Sequence, residues 1–148
     1  MLKKLLSICA LVLVVLVSGC ASVPMASPDR DAAAKTFTVK PDKANIYVYR
    51  NETMGAAVKM PIALDGKLVG DTAANTFLIL EVPPGNHTIL SKTENDSTLT
   101  VSATAGSNYY IWQEVKMGMF AARSALHLVD EATGKAGIAE CKLIEVMQ

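Results

Sequence analysis

Apolar and polar positions divide the chain into three regimes. Residues 5–17 are apolar except for Ser7 and follow two lysines, Lys3 and Lys4. As a helix that run rises roughly 20 Å, short of the ~30 Å hydrocarbon core that a spanning helix must cross. A positive start, a short apolar core and a small-residue exit through Ser18 and Gly19 read as a secretory signal peptide over residues 1–19. Residues 20–26 are mostly small and carry Pro24, so they read as a tether reaching about 20 Å at ~3.5 Å per residue. Beyond them comes a helical stretch and then, from residue 44, alternation with period two.

The helical stretch begins at Ser27-Pro28-Asp29, where Ser27 suits the N-cap, Pro28 the first helical position and Asp29 the positive end of the dipole. Ala32, Ala33, Ala34 and Lys35 continue it towards an end near Phe37. Residues 45–50, Asn-Ile-Tyr-Val-Tyr-Arg, read as a strand. Asp65-Gly66 separates residues 61–64 from 67–70 and suits a type I′ hairpin turn, which needs positive φ at both positions. Residues 76–82 and 86–92 flank Pro83-Pro84-Gly85, a type II turn signal, and residues 98–104 and 109–116 flank a second turn around Gly106. Residues 125–129 suit a last strand, and Asp130 then caps a helix over 131–139, with a hairpin turning at Thr133-Gly134-Lys135 as the competing reading. The expected fold is mainly β: one domain over residues 27–148, an antiparallel β-sandwich or curled sheet of six or seven strands, with a short N-terminal helix and a C-terminal helix.

The cysteines change the picture of where such a domain works. Val17-Ser18-Gly19-Cys20 resembles the lipobox of bacterial lipoproteins in every position. That resemblance implies cleavage before Cys20, a diacylglycerol on its thiol and an acylated amino group. Ala21 rather than aspartate at the next position implies sorting to the outer membrane, with the domain facing the periplasm. Two or three acyl chains hold firmly where one anchors only marginally. Cys9 leaves with the signal and Cys20 is acylated, so Cys141 is the sole remaining thiol and no internal disulfide is available. Without Lys3 and Lys4 the chain keeps 12 basic against 14 acidic side chains, which gives no basic footprint for nucleic acid. The Asn-x-Ser/Thr triplets at Asn51, Asn86 and Asn95 read as ordinary turn residues behind a bacterial lipobox.

Catalytic chemistry finds few candidates. Cys141 with His127 is the candidate Cys/His pair, but Cys141 sits among Leu143 and Ile144 as a small hydrophobe would. No Gly-x-Ser-x-Gly occurs, and His87 and His127 are far apart without further ligands at metal spacing, so no catalytic residue, metal or cofactor is assigned. His87 reads as a solvated strand-edge residue. Glu94-Asn95-Asp96-Ser97 gathers oxygens but lacks the alternating calcium-loop pattern and reads as a turn. Two binding candidates remain. Tyr110 and Trp112 share a strand face with Glu114, an arrangement suited to stacking on a glycan, or alternatively to filling the core. Met117, Met119 and Phe120, with Arg123, form a flexible-looking loop that either plugs the open end of the sandwich or docks a partner.

The pieces VYRN, ALDGKLVGDT, FLILEVPPGNHTI and NYYIWQEVKMGM together resemble a family of small bacterial lipoprotein domains of unknown function. LDGKLVG and VPPGNHTI are also similar to PEGA-type surface modules, which are small β-sandwiches. The resemblance implies a fold class and an envelope location, and carries no catalytic residue. The expectation is a lipid-anchored envelope protein that acts by binding an envelope protein through the loop at 117–123, or a glycan such as peptidoglycan through Tyr110 and Trp112.

Overall fold

The computed structural model describes residues 21–147; Cys20 and the signal segment 1–19 lie outside the described residues. In chain order the elements are α1 (Pro28–Ala34), β1 (Ala44–Arg50), β2 (Met60–Leu64), β3 (Lys67–Thr72), β4 (Thr76–Val82), β5 (Gly85–Lys92), β6 (Asp96–Ala103), β7 (Asn108–Met117), β8 (Ala122–Val129), α2 (Glu131–Ala139) and β9 (Lys142–Leu143). They form two sheets, one in the order β8-β7-β1-β4-β9 and the other β3-β2-β5-β6. The sandwich is therefore present, with more strands than the turn signals suggested. Its pairings are antiparallel except for β1 with β7 and β4 with β9, which are parallel.

Caps and turns follow local chemistry. Ser27 Oγ accepts from Arg30 N, and Asp130 Oδ1 accepts from Thr133 N at 2.9 Å, so 131–139 is a helix and the competing hairpin is absent. Asp65 and Gly66 take φ of 50° and 86°, as the type I′ turn requires. Helix α1 stops at Ala34, short of the expected end, because Phe37 adopts φ of 56° and turns its ring inward to lie 5.4 Å from the ring of Tyr47.

Strand β1 is buried along its whole length. One face, Ile46 and Val48, meets Ile62, Ile89 and Val101 of the four-stranded sheet. The other face, Tyr47 and Tyr49, packs with Phe77, Tyr110, Ile138 and Leu143 beneath α2. Each such side chain contributes about 1.5 to 3 kcal/mol by leaving water. A strand covered on both sides loses strict polar alternation, which is why this segment is apolar and aromatic almost throughout.

The end of the sandwich at Arg50 is polar inside. The wholly buried Arg50 guanidinium donates to the carbonyls of Val58 at 2.8 Å and Gly55 at 2.6 Å, folding residues 51–59 over the opening. Beside it Gln113 spans the two sheets, accepting from Thr72 Oγ1 and donating to Ser91 Oγ at 2.7 Å, and Ser91 meets Ser124 at the same distance. The two terminal nitrogens of Arg50 and the side chains of Gln113, Thr72, Ser91 and Ser124 all have partners here, while Arg50 Nε is buried with none; leaving such a group unpaired costs about 1 to 3 kcal/mol.

Residues 21–26, expected as a tether, lie against the domain. Ala26 N donates to Leu143 O, Glu145 N donates to Pro24 O, and Ala21 N donates to Ala56 O at 2.9 Å.

Candidate functional site

The loop between β7 and β8 is built from below. Glu94, in the turn between β5 and β6, accepts from the backbone N–H groups of Met119 at 3.2 Å, Phe120 at 2.9 Å and Ala121 at 2.7 Å. The guanidinium of Arg123 adds two bonds to Glu94 Oε1, at 3.1 and 2.7 Å. The Phe120 and Ala121 amides first, and then Arg123, pull the Glu94 carboxyl down to about 2. With its backbone fixed by a carboxylate, the loop turns its side chains outward: Met117 is 83 %, Met119 77 % and Phe120 91 % exposed. It does not plug the sandwich; residues 51–59 do that. Arg123 is not a free cation, since its charge serves the loop's own anchor.

The expected Tyr110 and Trp112 platform is divided by α2. Gly134 and Gly137 face the sheet, and a Cβ at either would come within 3.0 Å of ring atoms of Tyr110 or Tyr49. Glycine lets the helix backbone rest directly on the tyrosine faces, so Tyr110 is only 3 % exposed and belongs to the core, stacked on Tyr47 at 5.4 Å. Desolvation raises the Tyr110 phenol and lifts Tyr47 and Tyr49 to about 12. Trp112 remains partly exposed. Its indole N–H donates to Glu52 at 3.0 Å, its ring stacks on His127 at 5.2 Å, and His127 Nε2 lies 2.7 Å from Glu114. It borders an open groove of about 460 Å³ with Tyr49, Asn51, Thr133, Gly137 and Glu140.

The other candidates are structural. Cys141 is buried and its thiol is pushed up to about 12 by desolvation, which leaves no thiolate for nucleophilic chemistry. His87 is not a solvated edge residue. Its strand β5 lies between β2 and β6, and its ring is clamped by Asp65 Oδ2 at 2.7 Å and Pro83 O at 2.8 Å. The Asp65 bond raises the His87 imidazole above its ordinary range. No group of three or more His, Cys, Asp or Glu side chains is arranged for a metal among the described residues. Glu94 as the loop's anchor was invisible in sequence, because its partners are backbone groups twenty-five residues or more away.

Residues 40–125 match the family described as "Protein of unknown function (DUF2846)". The chain belongs to this family. An uncharacterized protein of Haemophilus influenzae is 35 % identical over 131 residues, covering 86 % of this chain and 77 % of that protein. No solved structure matches. The match to DUF2846 opens before β1 and closes inside β8, so it includes both Glu94 and the loop that Glu94 holds.

Proposed function

We propose that this DUF2846 protein is a lipid-anchored envelope protein whose β domain acts by binding, not by catalysis, through the loop that carries Met117, Met119 and Phe120. The observation that supports this reading best is the Glu94 anchor. Three amide bonds and an arginine fix the loop backbone with its apolar side chains held out in water, an exposure that costs the isolated domain and suits contact with another surface. The lipobox-like Val17-Ser18-Gly19-Cys20 supplies the anchor: the Cys20 sulfur takes a diacylglyceryl group, and Ala21 behind it favours the outer membrane. The similarity of the β2–β3 and β4–β5 hairpins to PEGA-type surface modules is in keeping with a display role. Labelled palmitate incorporated by the wild-type chain and lost in Cys20→Ala checks the anchor; incorporation that persists overturns it. A photoreactive residue at position 120 in living cells is expected to give an adduct, and its absence overturns the binding loop.

The groove beside Trp112 favours a second reading, a glycan-binding module. Trp112 is the sole tryptophan, so its fluorescence responds to peptidoglycan fragments if the groove takes them, and an unchanged spectrum removes this reading.

A further inference from the structure

Ala21, the first described residue, and the apolar loop lie at the same end of the domain. Ala21, which directly follows Cys20, donates its N–H to Ala56 O at 2.9 Å. Ala56 belongs to the segment folded over the Arg50 end of the sandwich; the neighbouring Gly55 lies so close to Val115 that a Cβ there would be 3.2 Å from Val115 Cγ1. Val115 stands two residues before Met117 on β7. Adding these steps at ordinary backbone dimensions puts the start of the domain within about 20 Å of the loop tip. Met54, 51 % exposed, lies in the same segment as Ala56. Residues 21–26 are tied down by hydrogen bonds at Ala21, Pro24 and Ala26, so the tether has little slack and a lipid on Cys20 would hold this end against the bilayer.

We infer that the loop of Met117, Met119 and Phe120, together with Met54, inserts into the interfacial layer of the same membrane that holds the lipid on Cys20. The inference deepens the proposed function and rests on its lipid anchor. The chemistry suits a phospholipid surface. Methionine and phenylalanine side chains bury in the boundary between headgroups and acyl chains, and such contacts lie about 5 to 10 Å deep. Lys59 and Lys92, which make no ion pair among the described residues, stand beside these segments and suit phosphate headgroups. Glu94, the carboxylate that would repel those headgroups, is turned inward onto the loop's own amides and Arg123. A bilayer occupant also requires no matching groove, and the loop offers a convex tip. The anchored lipid and the inserted loop then act as two attachments that fix the orientation of the domain.

The test uses the full-length acylated protein in vesicles of phosphatidylethanolamine and phosphatidylglycerol. Phe120→Cys and, in the turn at the opposite end, Ala105→Cys are each labelled with an environment-sensitive fluorophore; Cys141 is buried and Cys20 is acylated, so each protein takes one label. Vesicle flotation and the mass of the N-terminal peptide report the anchor separately. With the chain afloat, lipid carrying a quencher near the headgroups is expected to cut emission at position 120 about twofold or more while leaving position 105 nearly unchanged. Flotation without quenching at 120 overturns the inference and leaves the anchor standing, and an adduct at 120 to a protein in cells then assigns the loop to a protein partner. A chain with no acyl group that fails to float overturns the anchor and this inference together. Phe120→Asp supplies a second reading, since insertion predicts that quenching of a label at position 119 falls while flotation persists, and unchanged quenching counts against it.

Discussion

Replacing Gly137 by alanine sets two known effects against each other. Position 137 lies within α2, where alanine is favoured over glycine by about 1 kcal/mol. The new Cβ, however, would come within 3.0 Å of three ring atoms of Tyr49, Cε2, Cζ and Cδ2, and that ring is held by the sheet below and by Ile138 and Cys141 around it. Overpacking of this kind costs about 1 to 3 kcal/mol, and overlap with three atoms at once belongs at or above the upper end. The expected net loss is about 2 kcal/mol, which in a domain of this size lowers the melting temperature by roughly 6 to 10 °C. The sign should reverse when the ring is removed. In a Tyr49→Val background, Gly137→Ala is expected to be neutral or to stabilise by up to about 1 kcal/mol, because only the helix term remains. Urea unfolding of the four proteins in the cycle measures the coupling. Equal cost of Gly137→Ala in both backgrounds, or no cost in the wild type, would refute the claim that close helix-to-tyrosine contact explains the glycine.

The remaining predictions concern charge and reactivity. Because the Glu94 carboxyl is lowered to about 2 in the folded loop, the order it confers is present above its ordinary value of 4.5 and is lost as pH falls through the folded value; the Phe120 and Ala121 amide resonances should titrate together near 2, and a midpoint near 4.5 would mean the loop is not held this way. The His87 imidazole is raised by Asp65, so its contribution is complete below 6.5 and disappears as pH rises through the folded value. Asp65→Asn keeps a residue suited to φ of 50° and is expected to bring the His87 midpoint down; a midpoint that stays put excludes the pair as the cause. Cys141 should resist iodoacetamide at neutral pH while folded and react once urea unfolds the domain, and rapid labelling of the native protein would contradict its burial.

Much of the fold was legible because its determinants are local. The helix starts at Ser27 and Asp130, the Asp65-Gly66 turn and the alternation in residues 98–104 are each decided within a few residues, and each appears in the structure. The parallel pairing of β1 with β7 has no local signature, since it joins segments separated by the entire four-stranded sheet. Position of burial was harder still. His87 has the flanks of an edge residue, and only the packing of β5 between two neighbours encloses it. The candidate loop was found by its composition, but whether it plugs or projects depended on Glu94, whose bonds to the loop cross from one sheet to the other.

The tyrosines and the glycines of α2 carry the same lesson into function. Taken one strand at a time, Tyr47, Tyr49, Tyr110 and Trp112 resemble a flat aromatic platform, and Gly134 and Gly137 resemble flaws in a weak helix. Together they are one interface: glycines three residues apart present a bare strip of helix backbone, and the tyrosine rings lie against it. Covering those rings removes three of the four aromatics from the surface and leaves Trp112 beside the groove at the helix margin. The large apolar side chains most exposed to water are then Met117, Met119 and Phe120, at the end of the domain where Ala21 meets Ala56. An apolar tip so placed would be a liability on a freely diffusing protein, and would serve as a second point of attachment if, as proposed, Cys20 carries lipid. The helix that hides the tyrosines and the carboxylate that projects the loop thus decide between them which apolar surface this domain offers.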